Sequence, residues 1–318
     1  MLTSGNSELK IISGSSHPEL SRQIADYLQL KLSPIQISRF NCGEIYARSE
    51  ENVRGAITYV IQTCGTYTVN ENLMELFILV DALRRASVKQ VNVVVPYYGY
   101  SRQDKKSAPR EPISAKLVAD LLVTAGINRI ITIDLHSDQI QGFFNVPLDH
   151  LTAIQLLAKY IKEKDLTNTV VVAPDTGRVK TAKKLADRVN LPIAVLHKTR
   201  PAHNQAEVTH VVGEVKGKKI IIVDDIIDTG GSVVRGVEAL IKHGATSGIT
   251  IVCTHGVFSG DANKKLNHQD IAEVVATNSI PIPTEKRFPQ LKTISAAPLL
   301  AEAIRRNYQN ESISKLFD

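Results

Sequence analysis

The second half of this chain repeats the first. KIISGSSHPELSRQIADYLQL, starting at Lys10, aligns with VVVAPDTGRVKTAKKLADRVNL, starting at Val170. VRGAITYVIQTCG aligns with VKGKKIIIVDDII, and ENLMELFILVDALRRASVKQVNVVV with GSVVRGVEALIKHGATSGITIVCT. A period of about half the chain is too long for a solenoid and marks an old duplication. It predicts two similar domains, residues 1–150 and 151–318, with the last helix packing back on the first.

The repeated unit is legible as α/β. Short Val- and Ile-rich runs end at loops: Lys10–Ser13, Ile35–Ser38, Ile57–Thr63, Val91–Pro96 and Ile130–Leu135 in the first half. Val170–Ala173, Ile193–Leu196, Lys219–Val223, Ile249–Thr254 and Ala272–Thr277 follow in the second. Helical periodicity lies between many of them; Leu73, Leu76, Phe77, Val80 and Leu83 share one face. Strands that are apolar throughout and alternate with helices predict central parallel sheets covered on both faces. In such sheets ligands bind at the carboxyl ends of the strands.

The duplication also isolates a functional segment. A feature that this unit needs in order to fold should occur twice. Asp224, Asp225 and Asp228-Thr229-Gly230-Gly231-Ser232 occur in the second half only; the first half has Gln62-Thr63-Cys64-Gly65 at the equivalent place. The glycines let backbone amides approach an anion, and the helix that follows adds unpaired N–H groups and a favourable dipole. Thr229 and Ser232 add hydroxyl donors. Acidic Asp224 and Asp225 would repel a bare phosphate, so the ligand expected here also carries hydroxyl groups that donate to them.

Composition narrows the field. The net charge is +6, there is no Trp, and no recognised nucleic-acid motif accompanies the charge. Small anionic substrates explain the basic balance, and nucleic acid is not expected as a partner. No apolar run of about 18 residues predicts a membrane span. Three cysteines without CxxC spacing read as reduced thiols in a cytoplasmic protein.

With these pieces in place, KKIIIVDDIIDTGGSVVRGVEAL resembles the sugar-phosphate motif of the phosphoribosyltransferase fold. PYYGYSRQDKK, REPISAKLVADLL, IITIDLHSDQIQGFF, NENLMEL and LAEAIRRNYQNESISKLF are similar to the ribose-phosphate diphosphokinase family over essentially the whole chain. The resemblance implies two duplicated phosphoribosyltransferase-type, Rossmann-like domains. It implies transfer of the diphosphate of ATP to C1 of ribose 5-phosphate, with Mg²⁺ as MgATP and as a second free ion. Asp224, Asp225, Asp228, Thr229, Gly230, Gly231, Ser232 and Arg200 would hold ribose 5-phosphate. Phe40, Cys42, Gly43, Glu44, Arg102 and Gln103 would hold ATP, His136 and Asp175 the metal, and Lys198 and Arg200 would be catalytic. A homohexamer is implied, and Arg54, Arg110, Ser312 and Ser314 match residues of an effector site for inorganic phosphate and ADP.

Three positions depart from that pattern. Cys42 replaces an Asp or Asn. Arg178 stands where the family has glycine, and Thr181 stands where Arg is common. Arg178 either clamps phosphate or crowds the metal; the sequence leaves both open. Two further classes therefore stay open: a non-catalytic regulatory homologue, opposed by the intact Lys198, Arg200 and Asp228–Ser232, and a phosphoribosyltransferase that consumes the diphosphate, opposed by SRQDKK, DLH and the duplication.

Overall fold

In a computed structural model, which describes residues 7–65, 68–199 and 208–316, the repeat becomes two α/β units. The first unit runs through Thr152 and adds Ser279–Pro281 and the chain from Ser295 onward. The second comprises Ala153–Asn278 and Ile282–Ile294.

In the first unit the strands are β1 (Leu9–Ser13), β2 (Ile35–Arg39), β3 (Ile45–Ser49), β4 (Ile57–Ile61), β5 (Gln90–Val95), β6 (Arg129–Ile133) and β7 (Leu148–Leu151). The helices are α1 (Pro18–Tyr27), α2 (Val69–Arg85) and α3 (Ser114–Ala125). Five strands form a parallel sheet in the order β1-β4-β5-β6-β7. Their inner residues, such as Val93, Val94, Ile130 and Ile131, are buried, as a sheet covered on both faces requires.

The second unit contains α4 (Ile154–Lys162), β8 (Thr169–Ala173), α5 (Val179–Val189), β9 (Ile193–Thr199), β10 (Val208–Val212) and β11 (Lys219–Ile227). It continues through α6 (Gly231–Lys242), β12 (Ile249–Gly256), α7 (Ala262–Leu266), β13 (Ile271–Thr277) and β14 (Leu291–Ile294). Its sheet has the order β10-β9-β8-β11-β12-β13-β14, with β10 antiparallel to β9 and every other pair parallel. The run β8-β11-β12-β13-β14 repeats the order of the first sheet. On α5, Ala182, Leu185, Ala186 and Val189 form the buried stripe that Leu20, Ile24 and Leu28 form at α1. Each fully buried Leu, Ile or Val of these stripes contributes roughly 1.5–3 kcal/mol.

The hairpins mark where the copies diverge. β2 and β3 form a separate two-stranded sheet that contacts α2 through β3. β9 and β10 instead extend the main sheet of their unit. The turn from Phe40 to Glu44 and the segment 200–207 thus hold the same station in the repeat; the latter lies outside the described residues.

All ten strands read from the sequence are present. β3, β7, β10 and β14 were not anticipated. They are short or half-exposed, and sequences such as LDHL and LKTI lack the apolar run that betrays a central strand. β11 is longer than read: it continues through Asp224 and Asp225 to Ile227, so both carboxylates stand on strand backbone, and the loop begins at Asp228.

The last helix, α8 (Ala297–Tyr308), belongs to the first unit and packs on α1. Leu300, Ala301 and Ile304 are buried. Ser295 Oγ donates to Gln23 Oε1 at 2.7 Å and Tyr308 Oη to the Ser7 carbonyl at 2.8 Å, while Asn307 Oδ1 accepts from Tyr59 Oη. Among the described residues, no helix is long and apolar enough to cross a membrane.

Candidate active site

Three neighbouring strands of the second unit bring the expected chemistry to one sheet edge. Lys198 lies near the carboxyl end of β9, Asp175 follows β8, and Asp224 and Asp225 lie toward the end of β11; β8 sits between the other two. β8 pairs with β11 only as far as Val172 and Ile222, so β11 runs on beyond its neighbour with the two carboxylates. In register, the Lys198 backbone opposes Thr209. Arg200 lies outside the described residues.

The sugar-phosphate loop is held from below. Val257 and Phe258 N–H groups donate to the Ile227 carbonyl at 3.0 and 3.2 Å, and Ser259 N–H to the Asp228 carbonyl at 3.1 Å. The Asp228 carboxylate accepts from Ser259 Oγ. Gly230 caps α6 with φ +72°, a left-handed conformation that a side chain would strain. Thr229 and Ser232 are exposed at the mouth, and Gly231 opens the helix. This is a helix N-terminus flanked by two exposed hydroxyl side chains, the ordinary setting for a phosphate.

Asp224 and Asp225 are poorly hydrated, their side chains being 17% and 7% exposed. Burial, followed by the charge of Asp225, pushes the Asp224 carboxyl well above the usual carboxylate range, with Arg178 opposing the shift. Arg178 Nε lies 3.4 Å from Asp224 Oδ1 and Nη2 lies 2.9 Å from Asp225 Oδ2. Of the two readings the sequence left for Arg178, neither anticipated this contact. Asp175 caps the short 3-10 turn that leads into α5, its Oδ1 accepting from Arg178 N–H at 3.2 Å. On the neighbouring strand buried Cys253 opposes Asp224 in register, and burial followed by the two aspartates pushes its thiol well up.

At the matching strand end of the first unit the polar groups satisfy one another. Gln62 Oε1 accepts from Ser16 N and Oγ, and its Nε2 donates to Glu75 Oε1 at 2.8 Å. Buried Glu75 also accepts from Ser15 N at 2.7 Å and Ser15 Oγ at 2.6 Å. Where the second unit has an open loop, the first has a closed hydrogen-bonded plug.

The first unit's own candidates stand on loops. Arg102 and Gln103 are exposed after β5. Gln103 is fixed by its N–H to Tyr100 O at 2.9 Å and by Ser114 Oγ, which donates to Oε1 at 2.5 Å. Half-buried His136 follows the adjacent β6, behind Asp134, whose φ of +36° is strained for a non-glycine residue. Phe40, Cys42, Gly43 and Glu44 form the β2–β3 turn. It is closed by Phe40 N–H to Glu44 O at 2.9 Å and Gly43 N–H to Phe40 O at 2.8 Å. Phe40 is 55% exposed, with its edge-to-face neighbour Tyr46 at 5.9 Å between centroids. Cys42 is exposed and unbridged.

Of the four residues matched to an effector site, Arg54, Ser312 and Ser314 are held locally by backbone hydrogen bonds. Arg54 N–H bonds Asn52 Oδ1 at 3.0 Å, and Arg110 adopts φ +69°. Arg306 Nη1 donates to the Ser312 carbonyl at 3.0 Å and Ser314 N–H to Ser312 Oγ at 3.2 Å.

Sequence reasoning missed two residues besides the Arg178 contact. Arg235, one turn into α6, reaches Ser232 Oγ at 3.4 Å, and i to i+3 spacing on the helix could have flagged it. His150, whose Nε2 accepts from Leu135 N–H, carries no local signal, because its partner is on another strand.

No cluster of three or more His, Cys, Asp or Glu side chains that could hold a metal occurs among the described residues. His136 and Asp175 are single donors. Each alone fits Mg²⁺ arriving on substrate phosphates and keeping most of its waters, rather than an ion held by protein alone.

Comparison with known proteins agrees with this layout. The N-terminal domain of ribose phosphate pyrophosphokinase matches residues 9–126, and the phosphoribosyl synthetase-associated domain matches residues 200–318. The chain is 51% identical to the ribose-phosphate pyrophosphokinase of Caldanaerobacter subterraneus over 97% of its length and 98% of the relative's. It is 49% identical to that of Bacillus subtilis, covering 98% of both chains. The crystal structure of phosphoribosylpyrophosphate synthetase from Mycobacterium smegmatis superposes with a TM-score of 0.91 at 46% identity, covering 96% of this chain and 100% of that one. The duplicated α/β units, the single sugar-phosphate loop and this full-length likeness together show that the chain belongs to the ribose-phosphate pyrophosphokinase family.

Proposed function

We propose that this chain transfers the diphosphate of ATP to the C1 hydroxyl of ribose 5-phosphate, giving 5-phospho-α-D-ribose 1-diphosphate and AMP. The observation that carries the reading is the second unit's loop: an open helix N-terminus at Gly231 immediately beyond two carboxylates on β11.

Each residue then has a task. The amides and hydroxyls of Thr229–Ser232 take the 5-phosphate. Asp224, Asp225 and Asp228 accept from ribose hydroxyls and fix the orientation of C1. Phe40 offers a ring face to adenine and Glu44 an acceptor for its exocyclic amine. Gly43, at φ +95°, shapes that turn. Cys42, a weak hydrogen-bonding group, leaves that contact to backbone atoms. Arg102 and Gln103 bind the nucleotide's phosphates.

Diphosphoryl transfer asks for in-line placement and for positive charge over the phosphate oxygens. Lys198, and Arg200 outside the described residues, supply that charge. His136 would hold one Mg²⁺ and Asp175 the other, as MgATP and a second ion, and the bound metal would withdraw charge from the phosphates and lower the pKa of the attacking hydroxyl.

The active assembly is a homohexamer, with Arg54, Arg110, Ser312 and Ser314 taking inorganic phosphate or ADP, and the protein works in the cytoplasm. The family likeness supports these readings, and three free thiols fit a reducing compartment. Phosphorus NMR on the purified protein with ATP, ribose 5-phosphate and Mg²⁺ tests the reaction. A new sugar diphosphate with matching AMP is expected; ATP binding without AMP would overturn it.

A further inference from the structure

Two adjacent carboxylates as dry as Asp224 and Asp225 need a positive charge beside them. In a phosphate-handling site that charge is commonly a divalent cation. Here the position is filled by the chain itself. The Arg178 guanidinium reaches both carboxylates, at 3.4 and 2.9 Å, and its side chain is 14% exposed. Its backbone is pinned as well, because Arg178 N–H donates to Asp175 Oδ1 at 3.2 Å.

The fold explains how one side chain spans these groups. Arg178 ends the 3-10 turn after β8, and β11 is the strand next to β8. The turn therefore lies alongside the stretch of β11 that has outrun its neighbour. Glycine at 178 could not reach across, and an arginine from a more distant strand would have to cross the sheet edge.

We propose that Arg178 is a resident cation of the sugar-binding site: its guanidinium takes the place over Asp224 and Asp225 that a divalent metal would otherwise occupy. Two consequences follow. Divalent metal does not settle on this pair before substrate arrives. The guanidinium also fixes which carboxylate oxygens face the ligand, so Arg178 is a positioning residue for the sugar rather than a group that touches the reacting atoms. The inference takes its setting from the sugar-binding reading of Asp224 and Asp225. Its test uses no substrate, so its failure would leave the reaction untouched.

The experiment is thermal unfolding of the ligand-free protein with and without millimolar MgCl₂, in wild type, Arg178→Lys, Arg178→Gln and the double variant Arg178→Gln/Asp224→Asn. Wild type and Arg178→Lys should not respond to the metal. Arg178→Gln exposes the carboxylate pair and should gain about 3 °C at a metal concentration roughly ten times its Kd. The double variant should lose that gain. A wild-type shift as large as that of Arg178→Gln would overturn the proposal, as would a gain that survives Asp224→Asn. Should Arg178→Gln fail to fold, calorimetric titration of Mg²⁺ into wild type and Asp224→Asn decides. Binding to wild type that Asp224→Asn abolishes overturns the proposal, and no difference between the two upholds it.

Discussion

The Nε2 atom of His150 accepts the backbone N–H of Leu135 at 2.8 Å. Leu135 is the middle residue of Asp134-Leu135-His136, the turn whose first residue is strained at φ +36°. His150 comes from β7, so a neighbouring strand fixes the peptide that presents His136. Its Nδ1 faces Asp138 Oδ1 at 3.8 Å, which favours the tautomer with hydrogen on Nδ1 and a lone pair on Nε2. His150→Phe should keep the ring volume, lose the acceptor and leave a buried N–H unpaired. A loss of about 1–3 kcal/mol in urea unfolding is expected. If His136 works from this turn, kcat should fall while KM for ribose 5-phosphate stays put. Partial recovery in His150→Gln would identify acceptor geometry as the cause, and an unchanged kcat in His150→Phe would remove His150 from any positioning role.

Arg235, on the exposed side of α6, lies 3.4 Å from Ser232 Oγ, so a 5-phosphate bound at Ser232 would meet its charge. Because it is exposed, its contribution should be modest and screened by salt. Arg235→Ala should raise KM for ribose 5-phosphate about threefold at low ionic strength, an energy within the range of an exposed ion pair. The difference should shrink in high salt, with kcat unchanged. A salt-independent effect would point to helix packing instead.

Asp224 bears the cost of its site. Burial raises its carboxyl above the unfolded value of 3.8, with Asp225 adding to the shift. A carboxyl raised on folding favours the folded state most below 3.8, and that contribution is lost as pH climbs through the folded value. At neutral pH the ionised form is therefore a burden. Asp224→Asn should stabilise the ligand-free protein by about 1 kcal/mol at neutral pH, and the gain should close as pH falls toward the unfolded carboxyl range. The same change should raise KM for ribose 5-phosphate about tenfold or more, the usual cost of a lost hydrogen bond to a charged group. Urea midpoints at two pH values, read beside KM, check both halves. Arg178 offsets only part of that cost, so a variant less stable than wild type at neutral pH would mean that the Arg178 pairing outweighs the desolvation of Asp224.

Glu302 shows the opposite sign. Arg305, at 2.8 Å, is the first cause that holds its carboxyl below the unfolded value of 4.5, with burial opposing and Arg306 helping. A depressed carboxyl stabilises the fold above its unfolded pKa, and that stability drains away as pH falls through the folded value. Glu302→Gln should cost about 1 kcal/mol at neutral pH, allowing for solvent screening of a partly exposed pair. It should also flatten the acid limb of the stability curve. Arg306 also bonds the Ser312 carbonyl, so the tail around Ser312 should exchange amide hydrogens faster in the variant.

Much of this protein is determined locally and could be read without coordinates. The duplication, the apolar strands and the Asp228–Ser232 loop each rest on chemistry carried by contiguous residues: β-branched runs, helix periodicity, glycines before a helix N-terminus. Edge strands such as β7 and β14 escaped because a short polar strand is defined by its partner, not by its own composition. The contacts that set the electrostatics escaped for the same reason. Arg178 reaches Asp224 and Asp225 only because β8 lies beside β11 in a register that stops at Val172 and Ile222. His150 reaches Leu135 only because β7 lies beside β6. Sequence names the charged groups; strand order and register, fixed by the burial of two whole sheets, decide which of them meet.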